Sequence, residues 1–193
     1  MNQLRTGGIM TKDKNRDYEI IAKGEHVILR TIIETDRAHY QRWQTLGEWR
    51  SLDAPWEQDQ AGRKKESPIE DDPAPKKMAV IATLENKPLG WVNRYSKGSS
   101  LIWFVGIDIC EDYFLNRGYG TEALRLWVDY LFENSNYHKL CLDTWSFNPR
   151  MARVAEKIGF IFEGAQREMQ FWDGEWLDLL HHGMLREEWE TRR

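Results

Sequence analysis

A glycine-containing turn between two differently patterned apolar segments constrains this chain more than any other feature. It runs Phe114-Leu115-Asn116-Arg117-Gly118-Tyr119-Gly120-Thr121-Glu122-Ala123. Before it, Leu101 to Cys110 is almost continuously apolar, the pattern of a buried strand. After it, Leu124, Trp127, Val128 and Leu131 recur at helical spacing. A strand thus turns sharply into a helix, and the unpaired N–H groups and positive dipole end of that helix point out of the turn. Gly118 and Gly120 carry no Cβ, so the backbone can curl and a ligand can approach closely. Such a turn suits a phosphate or diphosphate. It is not a P-loop, because no Lys-Ser/Thr follows the glycines. It also falls one glycine short of a dinucleotide fingerprint, and no strand-helix-strand series precedes it. Taken alone, the segment also fits an ordinary helix start with a flexible entry turn.

A second segment, from His138 to Phe162, narrows the choice. Leu140 to Ser146 is a strand candidate, and Asn148 and Pro149 follow as a helix N-cap and first helical residue. Met151, Val154, Ala155 and Ile158 recur at helical spacing. Gly159 is a left-handed stop, and Phe160 opens a new strand.

With both segments in order, the chain resembles the GNAT superfamily of N-acyltransferases. The likeness rests on Arg117-Gly118-Tyr119-Gly120-Thr121-Glu122-Ala123, on the unit from Asn148 to Phe160, and on their spacing. Gly24-Glu25-His26-Val27-Ile28-Leu29-Arg30 with Asp36 and Trp43 fits too, as does the ending from Trp172-Asp173-Gly174-Glu175 to Glu188-Trp189. The stretch from Gly24 to Trp189 is similar to the branch holding ribosomal-protein, spermidine and small-amine acetyltransferases. The resemblance implies an α+β fold: a mixed, mostly antiparallel twisted sheet of about seven strands with a splayed parallel pair and helices on both faces. It implies acetyl-CoA as co-substrate, no metal, and direct attack by a primary amine in a ternary complex. The acceptor would be a small molecule or a protein N-terminus, and a homodimer is compatible with it.

The coenzyme contacts so implied are the turn residues Leu115, Asn116, Arg117, Gly118, Tyr119, Gly120 and Thr121, the backbone of Ile109 and Cys110 where the strands splay, and Asn148. Leu115 stands where other branches carry Gln or Arg, which removes a polar contact but leaves the backbone cradle. Glu122 suits the helix dipole but not a nearby anion, so it should face away. Arg117 either adds charge or points to solvent, and Asn148 is equally a plain helix cap.

An attacking amine must be neutral, and a free aliphatic amine has a pKa of about 10, so a base or water chain should take its proton. Asp108 interrupts an apolar strand near its end, where burial would raise its pKa, and is the leading catalytic candidate. A carboxylate paired to an arginine, or one at the strand's wet end, fits the same position. Asp143 on the other splayed strand is the alternate. Relatives often place a Ser or Tyr on the helix after Asn148 to protonate the leaving thiolate, but here Met151 and Ala155 hold those positions. Tyr119 and Tyr137 are near in sequence only. A coenzyme-binding sensor of the same fold, without turnover, is therefore a second reading. A nucleotide-phosphate binder, for which ATP would compete with acetyl-CoA, is a third.

The 193 residues suffice for one domain with a substantial core, over 24–193, after a flexible segment 1–23. A hydrophilic stretch over 52–77 with Pro55, Pro68, Pro73 and Pro75 predicts a long surface loop, with a short helix near Asp59 to Lys65. Net charge of −4 argues against nucleic acid as a partner. No signal segment or long apolar run predicts a membrane association. Cys110 and Cys141 fall in apolar strands and suit buried free thiols in the cytoplasm. The adjacent His181 and His182 suit a solvated pair. Among the ten tryptophans, Trp127 is core, whereas Trp103, Trp145, Trp172 and Trp176 either join the core or wall an acceptor cleft.

Overall fold

The computed structural model describes residues 17–58 and 75–193. One sheet holds β1 (Ile20–Lys23), β2 (Val27–Arg30), β3 (Met78–Thr83), β4 (Pro88–Tyr95), β5 (Ile102–Ile109), β6 (Lys139–Trp145), β7 (Ile161–Trp172) and β8 (Glu175–Leu185). Its order is β1-β2-β3-β4-β5-β6-β8-β7, and only β5 and β6 run parallel. This is the expected mixed sheet with one strand more, giving eight. The addition is β1, inside the segment expected to be flexible. Its Ile20-Ile21-Ala22 run is short and flanked by charges, so it carries no clear period, but it pairs with β2 as an edge strand. Residues 1–16 and the helix expected near Asp59 to Lys65 lie outside the described residues.

The helices are α1 (Asp36–Trp43), α2 (Pro55–Gln58), α3 (Tyr119–Glu133), α4 (Pro149–Ile158) and α5 (Arg186–Thr191). The helical stretch after β2 is interrupted at Gly47. Gly47 takes φ 112°, and a Cβ there would stand 2.7 Å from the Trp49 ring. Helical geometry ends before it, and a 3-10 turn resumes over Glu48–Ser51. The β7–β8 hairpin forms as its turn residues demand, with Asp173 and Gly174 at φ 49° and 84°.

Successive strand residues face opposite ways, and Trp91 and Val92 show which helices cover which face. Val92 joins Leu124, Trp127, Leu131, Leu140 and Leu142 in the main core under α3 and α4. Each fully buried leucine there contributes about 1.5–3 kcal/mol. Trp91 packs instead with Trp43, Trp49, Cys110 and Tyr40 under α1. Arg30 and Asp36, 1% and 5% exposed, make a two-bond ion pair at 2.6 and 2.7 Å that pins α1 to β2. Cys110 and Cys141 are buried free thiols.

Of the histidine pair, His181 alone keeps partial exposure. His181 bonds Asp143, and His182 is 1% exposed with its Nδ1 unpartnered. Alternation along β8 sends these neighbours to opposite faces, which adjacency in sequence does not reveal. Burial pushes the His182 imidazole below its usual range. An unfolded chain protonates this ring near pH 6.5, roughly its ordinary value, and the folded chain only at lower pH. The stability carried by the neutral ring is therefore complete above that value and is lost as pH falls through the folded one. Replacing His182 by leucine is expected to move the midpoint of acid unfolding to lower pH in a circular-dichroism titration. A midpoint that stays in place would show that protonation of this ring does not oppose folding.

Candidate active site

β5 and β6 pair only at Ile102–Lys139, Trp103–Leu140 and Phe104–Cys141. Beyond that point β5 remains laddered to β4 as far as Ile109, and β6 to β8 as far as Trp145. Each strand is held by its outer neighbour while the inner edges separate. A cleft of about 570 Å³ occupies the opening, with Val105 to Ile109 on one wall and Leu142 to Trp145 on the other.

The backbone of β5 divides between the two sides. Cys110 donates its N–H to Leu89 O at 2.7 Å and is committed to β4. Neighbouring strand residues present their amides to opposite edges, so the Ile109 amide faces the opening. Of the expected pair, Ile109 lines the cleft, and Cys110 lies 4% exposed in the tryptophan core.

Gly118 caps α3 at φ 89° and ψ −17°, and a Cβ there would meet nothing within 4 Å. Its requirement is conformational, and the space above it is open. Gly120 serves differently. A Cβ there would touch Ile109 at 3.4 Å, so its bareness lets α3 sit close on the strand that walls the cleft. Among the described residues, no acceptor pairs with the backbone N–H groups from Asn116 through Thr121, and the next bond runs from Glu122 N to Gly118 O at 3.0 Å. Leu115, Asn116, Gly118, Gly120 and Thr121 line the cleft. Arg117 and Tyr119 do not. Arg117 stacks over Tyr113 at 4.2 Å, and Tyr119 packs edge-on against Phe114 and His26. Glu122 faces away, accepting from the Glu25 and His26 N–H groups, and so ties the β1–β2 hairpin to the helix start.

Three cations escaped the sequence reading. Arg150, Arg153 and Lys157 recur at helical spacing on α4 and line the cleft beside Met151 and Val154. The signal was a basic row along the border of the apolar face, a pattern shared by any solvated helix. Here it concentrates positive charge on one side of the cleft in an otherwise acidic chain.

Asp108 lines the cleft and points to the α1 face, opposite Ile107 and Ile109 and in register with Trp91. The Tyr40 phenol has its pKa pushed up, by burial first and then by the negative charge of Asp108 and Cys110. Asp143 occupies the other wall. Its Oδ2 lies 2.6 Å from Lys97 Nζ and its Oδ1 2.7 Å from His181 Nδ1, so both oxygens are engaged. Met151 borders the cleft and Ala155 is fully buried, and Tyr137 is buried in a stack with Trp103 at 5.2 Å. Of the tryptophans, Trp127 is core and Trp176 exposed, whereas Trp145 and the unanticipated Trp49 line the cleft.

A bare N–H row at a helix start thus opens into a slot between diverging strands. Residues 26–161, more than half of the chain, match the acetyltransferase (GNAT) domain, and the chain belongs to that family. It is 32% identical over 113 residues to the uncharacterized N-acetyltransferase YnaD of Bacillus subtilis, covering 58% of this chain and 66% of that protein. It is 32% identical over 77 residues to the SPbeta prophage-derived uncharacterized N-acetyltransferase YokL of the same organism, 40% of this chain and 44% of YokL. The chain thus spans less than half the length of YokL. A GNAT-family acetyltransferase from Bacillus anthracis superposes with a TM-score of 0.67 at 18% identity, covering 86% and 98% of the two chains. Spermidine N-acetyltransferase from Vibrio cholerae, in complex with CoA and spermine, does so with 0.67 at 19%, covering 85% and 98%. At those identities the likeness is one of fold.

Proposed function

We propose that this chain transfers the acetyl group of acetyl-CoA to a primary amine by direct attack in a ternary complex. The observation that carries the reading is the row of unpaired N–H groups from Asn116 to Thr121 at the mouth of the splayed strands. A diphosphate on that row would also meet the charge of Arg150, Arg153 and Lys157. The carrier's arm fits the slot, where the Ile109 N–H can pair with an arm amide or with the thioester oxygen as charge grows there. Asp108 takes the proton of the attacking amine, directly or through water. Asp143, bonded to Lys97 and His181, is the alternate candidate for that step. A thiol leaves readily, with a pKa of about 8.5 by analogy to cysteine, so water suffices as its proton source. Buried free thiols suit the reducing cytoplasm.

Thiol release from acetyl-CoA over a panel of amines, spermidine and a peptide N-terminus included, tests the reading. Amine-dependent release with a matching acetylated product is expected. The absence of a hydroxyl at Met151 and Ala155 favours the sensor as second reading. Acetyl-CoA that binds with no release above hydrolysis would support it. ATP competing with acetyl-CoA would favour a general phosphate site.

A further inference from the structure

We propose a second activity, transfer of the acetyl group to the chain's own Lys97. It rests on the acyl-transfer reading for its donor.

Lys97 stands in the loop between β4 and β5, beside Gly98 at φ 107°. Its side chain reaches from that loop across to β6. The ammonium lies 4.3 Å from the centre of the Phe104 ring, and Nζ is 2.6 Å from Asp143 Oδ2. Phe104 belongs to the last pair that joins β5 to β6, and Asp143 lies two residues beyond the end of that pairing. The amine therefore sits at the closed end of the slot, and Lys97 and Asp143 both line the cleft. Register and alternation put Phe104, Asp108 and Asp143 on the α1 face of the sheet. Lys157 also lines the cleft, but from α4 on the other face.

The donor enters from the opposite end. Its diphosphate seat, the bare amides of residues 116–121, follows the end of β5 at Ile109. The stretch of β5 from Ile109 back to Phe104 spans about 17 Å. An arm anchored at the open end carries its thioester along that stretch toward the Lys97 amine.

Asp143 is placed to start the transfer. Its side chain is 9% exposed, and His181 Nδ1 holds, at 2.7 Å, the oxygen that Lys97 does not use. The carboxylate takes a proton from the ammonium and passes it to water, leaving a neutral amine. Nζ attacks the thioester carbon, the C–N bond forms and the C–S bond breaks. The coenzyme leaves as a thiolate and takes a proton from water, while the nitrogen gives up its second proton to Asp143 and on to solvent. The product is an uncharged amide, which ends the ion pair to Asp143.

Mass spectrometry after incubation with acetyl-CoA, with no amine added, tests this. One acetyl group per chain is expected, with Lys97 modified about tenfold faster than Lys157 or any other lysine, since only Lys97 is held at the thioester. Excess coenzyme A should suppress the reaction, and its rate per chain should not depend on protein concentration. Lys97→Arg keeps a cation for Asp143 without the nucleophile, so the fast phase should vanish while coenzyme A affinity by calorimetry stays within about twofold. Asp143→Asn should slow modification of Lys97 about 100-fold, the range for a positioned base. Acetylation spread evenly over the lysines, or not lowered by coenzyme A, would be solution chemistry only and would overturn the proposal. A rate that rises with protein concentration would move the acceptor to a second copy and overturn it too. An unmodified Lys97 in a protein that binds coenzyme A would sink self-transfer alone, and the amine panel would decide the acyl-transfer reading separately. A protein that does not bind coenzyme A would strike both.

Discussion

Replacing Gly118 by aspartate is expected to abolish donor binding in a protein that still folds. Gly118 is exposed, and a Cβ there meets nothing, so the fold is not threatened by a clash. Its left-handed φ of 89° costs an L residue about 1–2 kcal/mol, against a total stability on the order of 5–15 kcal/mol. Aspartate tolerates that region better than most residues and is a good helix cap, which offsets part of the strain. The same carboxylate would take the amides a diphosphate needs and place a negative charge beside it. Two such charges about 4 Å apart near a protein surface repel by roughly 4 kcal/mol, close to a thousandfold in affinity. Calorimetry with coenzyme A, alongside a thermal melt, reads this directly. Gly118→Ala, with strain and no charge, should weaken binding far less. Unchanged coenzyme A affinity in folded Gly118→Asp would remove the diphosphate from this turn.

Asp108→Asn should lower amine-dependent turnover about 100-fold near neutral pH, the range for losing a positioned base. The substitution preserves shape and removes only the group that accepts a proton. Asp108 points to the α1 face, away from Ile107 and Ile109, so coenzyme A affinity should hold within about twofold. The diagnostic signature is the pH–rate profile, whose acid limb should lose the inflection belonging to this carboxylate. A variant that keeps both the rate and the inflection would exclude Asp108 as the base. The proton would then pass through water alone, with alignment of amine and thioester supplying most of the acceleration.

Much of this site is visible in the chain because the turn obeys short-range rules. Gly118 at the N-cap, Asn148 and Pro149 before α4, Gly159 after it and Asp173-Gly174 between strands each satisfy a geometric demand within a few residues. Glu122 was expected to turn away from the Gly118 loop, and the amides of Glu25 and His26 that it bonds are distant in sequence. Other features followed no local rule. β1 lacks a readable period and exists because β2 offers an edge. His182 is buried beside a half-exposed His181 because a strand alternates. Cys110 is spent on Leu89, and the tie from Asn148 to Leu52 spans nearly a hundred positions.

The amino-acid order by itself determined the strand, turn and helix around Gly118 and the bare amides they expose. These depend on backbone angles and hydrogen bonds between near neighbours. Only the tertiary structure decided what Asp143 bonds to, which β5 amide faces the opening, and which segments line the cleft. Those outcomes depend on strand register and on packing between residues remote in sequence, where many pairings satisfy the same local pattern and only the assembled sheet selects one.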